Sequence, residues 1–173
     1  MMEKVLEALR AGKVVVYPTD TVYGMGADAL SREAVDLVYE VKQRPRDQPI
    51  SILVADFDML YRYANASQAQ KKVLEEQLPG PYTFILEPKE KIPVSDGNIG
   101  FRIPKHWCTK IAKEFGKPIT TTSANIHEKE TPSTISELRK TFGSKVEVYI
   151  DGGRLSGKPS MVIDLTTSKT VRI

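Results

Sequence analysis

The chain of 173 residues suits one domain, and 40% hydrophobic against 27% charged residues is the balance of a globular protein, not a disordered or fibrous one. No apolar run approaches the roughly 20 residues that cross a bilayer, and a lone cysteine, Cys108, leaves no internal disulfide framework and fits a reducing, cytoplasmic compartment. The net charge of +3 admits polyanionic ligands, but lysines and arginines are dispersed among nearly as many acids, as on a solvated mixed surface.

Taken in order, residues 2–11 place Val5, Leu6 and Leu9 on one helical face, with Gly12 where a left-handed terminal residue belongs. Val14 to Tyr17 reads as a buried strand, stopped by Pro18, which has no N–H for a ladder. A loop of hydroxyls and glycines follows: Thr19, Asp20, Thr21, Tyr23, Gly24 and Gly26. Polar groups at a strand end are where α/β folds bind ligands, although an ordinary strand-to-helix turn has the same composition. Ser31 caps a second helix that Pro45 ends near Arg44, so Lys42 and Arg44 fall at the helix end or just beyond it. Cations there also complement the helix dipole, which leaves a purely structural reading open.

Ile50 to Val54 is a strand, Asp56 to Ala64 a short helix, and Ser67 with Gln70 a capping box that opens another. Tyr82 to Leu86 and Ile99 to Ile103 are strands, Trp107 to Phe115 a helix closed by Gly116, and Ile119 to Thr122 a strand running into Ser123, Ala124 and Asn125. The segment 126–132 reads as a mobile polar loop. Thr134 and Glu137 form a second capping box. Val146 to Ile150, Met161 to Leu165 and Thr170 to Ile173 complete the strands, with a glycine-rich connection at 151–159. Alternating strands and helices argue for α/β, and the short neighbouring strands near the end for a mixed sheet.

The common catalytic constellations are missing from the sequence. Two histidines, His106 and His127, make no metal-ligand spacing, so no dedicated metal site is expected. Cys108 suits a buried thiol and His127 an exposed loop position. What remains is hydroxyls, amides and cations at strand ends. That inventory suits an enzyme that positions reactants and neutralises phosphate charge without a nucleophile of its own, as adenylation requires.

Six ordered motifs carry a resemblance to the YrdC-like family of threonylcarbamoyl-AMP synthases. They are the P-T-x-T-x-Y-G-M stretch from Pro18 to Met25; Lys42, Arg44 and Pro45; Pro79, Gly80, Pro81 and Thr83; Arg102, Ile103 and Pro104; Ser123, Ala124 and Asn125; and Ser160 with Val162 to Asp164. The resemblance spans nearly the whole chain. It implies one domain over residues 1–173, an α/β fold with a twisted mixed β-sheet flanked by helices. It also implies synthesis of L-threonylcarbamoyl-AMP from L-threonine, bicarbonate or CO2, and ATP, with release of pyrophosphate, for modification of a tRNA adenosine beside the anticodon.

Carried over by position, Lys42, Arg44, Ser123 and Asn125 are the expected catalytic residues. Lys42, Arg44, Gln48, Ser123, Asn125, Thr131 and Arg172 are expected at ATP, with Asn98 aligning more loosely. Thr21, Tyr23, Arg102, Thr121 and Ser160 are expected at threonine. Mg2+ would arrive with ATP, and a separate threonylcarbamoyl transferase complex and tRNA or double-stranded RNA are the implied partners, with no membrane. The chain departs from the family at Gln48, Leu53, His127, Glu128 and Met161, and stops at Arg172 and Ile173 without the additional domain of longer members. Two rival readings stay open on the sequence. One is a non-catalytic RNA-binding module of the same fold, and the other a carbamoyl-adenylating module of the hydrogenase-maturation type.

Overall fold

Four of the six described α-helices start where the sequence supplies a side-chain cap. The computed structural model describes residues 1–167 and the backbone of residues 169–171. In chain order it contains α1 (Met2–Arg10), β1 (Val15–Tyr17), β2 (Gly24–Gly26), α2 (Arg32–Lys42), β3 (Ser51–Leu53), α3 (Phe57–Tyr63), α4 (Gln68–Gln77), β4 (Tyr82–Leu86), β5 (Ile99–Arg102), α5 (Thr109–Phe115), β6 (Ile119–Ser123), α6 (Ile135–Phe142), β7 (Val148–Tyr149), β8 (Met161–Asp164) and β9 (Lys169–Val171). Ser31 and Asp56 each accept a backbone N–H of the helix that they open, and Ser67 with Gln70 and Thr134 with Glu137 close both bonds of their capping boxes. α2 ends at Gln43, whose φ of 53° turns the chain out before Pro45.

The strands form one mixed sheet in the order β7-β1-β2-β6-β3-β5-β4-β8-β9. The pairs β1–β7, β3–β5 and β4–β8 are parallel and the others antiparallel. Ile52, Phe84 and Phe101 alternate onto one face and are fully buried in the apolar core. α1 packs against α5, β1 and β7. No helix among the described residues is long and apolar enough to cross a membrane.

Three local expectations are corrected. The glycine-rich stretch read as loop contains β2, wedged between β1 and β6. A Cβ at Gly26 would lie 2.8 Å from the Tyr17 ring and 2.9 Å from the Thr120 carbonyl oxygen, so glycine is what lets this strand enter. The helix expected from Trp107 begins at Thr109 and leaves Trp107 exposed. The strand expected over 146–150 is reduced to two residues.

Candidate functional site

Strand alternation places a row of small polar residues on the face opposite Ile52, Phe84 and Phe101. Ser51 pairs with Thr121 on one side and, one step before the Ile52–Phe101 pair, stands beside Gly100 on the other. Two residues along each strand, Arg102 lies beside Leu53, with Thr83 opposite it by continuation of the Phe84–Phe101 register and Val162 beside Thr83. Two residues the other way along β6 is Ser123, paired with Gly24 of β2. A cavity of about 410 Å³ lies over this floor, lined by Ser51, Thr83, Arg102, Thr121 and Ser123 from the strands and by Arg44, Gln48, His127 and Ser160 from the loops. It continues past Ser51 and Arg44 into a second lobe of about 380 Å³, whose walls are more apolar and include Pro49, Ile50, Ile85 and Val162.

At the first end, Arg102 is 6% exposed. Its Nη2 donates to Asp20 Oδ1 at 2.5 Å and to Thr21 Oγ1 at 2.7 Å. Asp20 also accepts the Lys105 backbone N–H, which fixes the carboxylate. The buried Arg102 Nε has no partner among the described residues, an orphaned donor of the kind a bound anion would satisfy. Thr21 is further held by Thr19, whose hydroxyl donates to the Val22 carbonyl. The 151–160 connection crosses above: Tyr23 donates to the Gly153 carbonyl and accepts the Gly152 N–H. Gly157 passes so close to Thr21 that a Cβ would lie 2.3 Å from the Thr21 oxygen. The connection ends at Ser160, whose hydroxyl is 2.8 Å from that of Thr83.

At the other end, Lys42 is 1% exposed. Its Nζ donates to the carbonyl oxygens of Ser123 at 2.5 Å and Asn125 at 2.8 Å, and to Asn125 Oδ1 at 3.1 Å. Burial, with Arg44 nearby, pulls the ammonium down to about 7, while only the charged form can donate to all three oxygens. The Ser123 hydroxyl donates to Asn125 Oδ1, and Asn125 Nδ2 to the carbonyls of Ile126 and Lys129. His127 N–H donates to the Lys42 carbonyl. Lys42 is therefore directed at the turn that carries Ser123 and Asn125. Arg44 is the cation that faces the open space: it holds the Gln48 and Pro49 carbonyls with Nε and Nη2 and keeps the rest of its five-donor fork. Burial holds its guanidinium below the ordinary value.

Of the residues expected from the sequence, Tyr23, Lys42, Arg44, Gln48, Arg102, Thr121, Ser123, Asn125 and Ser160 line the cavity. Thr21 stands behind Arg102, Thr131 lies in the loop before α6 away from the lining, Asn98 lines the second lobe, and Arg172 lies outside the described residues. The segment 126–132, read as a mobile loop, is tied to Lys42 and Asn125, and His127 lines the cavity instead of standing free. Ser51 and Thr83 were missed as lining groups. Their signal is the two-residue period of β3 and β4, which sets them on the face of Thr121 and Arg102. Leu53 is fully buried, and Met161 is exposed.

The Sua5_yciO_yrdC family model, described as Telomere recombination, matches residues 7–173. A putative threonylcarbamoyl-AMP synthase of Methanocaldococcus jannaschii is 41% identical over 179 residues, covering 99% of this chain and 85% of the relative. The threonylcarbamoyl-AMP synthase of Vibrio campbellii is 36% identical over 180 residues, covering 98% and 97%. The crystal structure of P. abyssi Sua5 complexed with L-threonine matches with a TM-score of 0.88 and 35% identity, over 96% of this chain. The chain spans about half the length of that protein, 52%.

Proposed function

This chain belongs to the Sua5_yciO_yrdC family, and from that membership we propose that it is a nucleotidyltransferase that makes L-threonylcarbamoyl-AMP from L-threonine, bicarbonate and ATP. The observation that carries the reading is the presence, in one cavity, of a buried cationic pocket around Arg102 at one end and the Arg44 fork at the other. The names of the relatives favour an enzyme over a non-catalytic RNA binder.

Bicarbonate takes up a proton and loses water to give CO2, and the neutral threonine amine adds to its carbon and gives up a proton, leaving a carbamate. A carbamate oxygen then attacks the α-phosphorus of ATP, the bond from that phosphorus to the β-phosphate oxygen breaks, and pyrophosphate leaves. Neither step needs a nucleophile from the chain. Arg102, steadied by Asp20 and Thr21, presents its free Nε to the threonine carboxylate, and Tyr23, Thr121 and Ser160 supply neutral hydrogen-bonding groups around it. Arg44 meets phosphate charge with forked N–H donors. Gln48, Asn98, Thr131 and Arg172 are proposed nucleotide contacts. Lys42, Ser123 and Asn125 act as one unit that sets the turn beside the phosphates. The second lobe, with Pro49, Ile50, Ile85 and Val162, offers apolar walls to the nucleobase.

Mg2+ enters as MgATP, bound through phosphate oxygens. A cytoplasmic setting, a separate transferase that takes the threonylcarbamoyl group, and tRNA as its destination complete the proposal. The test is pyrophosphate release with each of threonine, bicarbonate, ATP and Mg2+ left out in turn. Release that persists without threonine, or none with everything present, sinks the reading.

A further inference from the structure

Ser51 opens β3 and lines both lobes of the cavity. Its row, Thr121–Ser51–Gly100, lies two residues from Arg102 along β5 and two residues from Ser123 along β6. At the rise of an extended chain each step is about 7 Å. Ser51 thus stands midway between Arg102 and Ser123, at the neck where the lobes join and where Arg44 also lines both.

Its neighbour leaves room for the hydroxyl. A Cβ on Gly100 would lie 2.4 Å from Ser51 Oγ and 2.8 Å from the Thr83 methyl, so the Ser51 side chain leans over a floor kept clear by glycine. Three nearby hydroxyl groups are engaged otherwise: Thr21 with Arg102, Ser123 with Asn125, and Thr83 with Ser160. Ser51 takes part in none of these pairs.

We infer that the Ser51 hydroxyl contacts the reacting junction, donating a hydrogen bond to the anionic oxygens that gather where the carbamate meets the α-phosphate, with Gly100 as its positioning neighbour. The inference rests on the synthase reading. Ser51 gains and loses no covalent bond. It acts as a fixed donor aimed at charge that grows in the transition state, held by strand pairing on both sides. A neutral donor adds hydrogen bonding here without further charge beside Arg44, which lines the same two lobes.

The experiment measures threonine-dependent pyrophosphate release and, separately, calorimetric binding of threonine alone and of a non-hydrolysable ATP analogue alone. Ser51→Ala should lower kcat about ten- to hundredfold while both affinities stay within about twofold. Ser51→Cys, similar in shape but a weak donor, should follow it. Gly100→Ala should also lower kcat, and by less in the Ser51→Ala background, where the closest clash is gone. Wild-type turnover in Ser51→Ala, or a loss that appears only as weaker threonine binding, overturns the inference and leaves the synthase reading intact. No threonine-dependent release from the wild type overturns the reading and the inference together.

Discussion

Lys42 Nζ lies 2.8 Å from the backbone oxygen of Asn125 and 3.1 Å from its Oδ1, so one cation at the end of α2 holds both parts of a single residue 83 positions later in the chain. A third bond, to the Ser123 carbonyl, makes the ammonium the hub of the turn. Its folded-state value of about 7 lies below the ordinary 10.5, so between those limits the unfolded chain binds more protons and stability rises with pH. Below about 7 both states are protonated, and the cost of burying the cation is fully present. Relative to Lys42→Met, the wild type should therefore gain about 2–3 kcal/mol between pH 7 and pH 9. Urea unfolding of both proteins at the two pH values checks this, and a difference that does not change with pH contradicts it.

The two ends of the cavity should separate by mutation. Arg44→Ala removes the forked donor that faces the open space and should weaken ATP about ten- to hundredfold with a small effect on melting. Thr21→Val keeps the shape but removes the oxygen that Arg102 uses, and should weaken threonine by a similar factor while sparing ATP. Calorimetric titration of each ligand shows which end each residue serves. The opposite pattern would exchange the two assignments.

Gly157→Ala tests the crossing of the 151–160 connection over Thr21. The added methyl would meet the Thr21 carbonyl oxygen at 2.3 Å, and backbone on backbone has little room to give. Overpacking of this kind costs about 1–3 kcal/mol. Because the connection carries Ser160, threonine affinity should fall more than nucleotide affinity. Equal losses for both ligands would mean that the connection serves stability alone.

Cys108 is buried, and burial pushes its thiol up to about 12. The native protein should stay unalkylated by iodoacetamide at pH 8, where thiolate is negligible, and react fully in urea. Mass spectrometry before and after unfolding distinguishes this from an accessible thiol, which would react in both states.

Much of the scaffold is legible in the chain because its signals are local. Ser67 with Gln70 and Thr134 with Glu137 announce helix starts within four residues, and Gly116 with Pro118 a helix end. β2 is not legible, because Gly24 to Gly26 has no strand propensity and is made a strand by Tyr17 and Thr120 on either side. In the site, motif order points to Arg102 and Arg44 but not to what each faces. That Lys42 turns to carbonyl oxygens depends on Asn125 arriving beside it through the β6 pairing. Ser51 and Thr83 are visible only once the register puts them in line with Thr121 and Arg102.

The order of strands also sets when the site can exist during synthesis. β4 pairs on one side with β5, which follows it closely, and on the other with β8, which begins at Met161. A nascent chain that has emerged through β6 already holds the floor residues Ser51, Gly100, Arg102, Thr121 and Ser123. It lacks Ser160 and the wall beside Thr83 until β8 arrives from nearly 80 residues downstream. Closing so long a loop is slow compared with local pairing. The partly made protein thus presents an open polar trough, and the pocket around Arg102 is walled only after β8 has been synthesised.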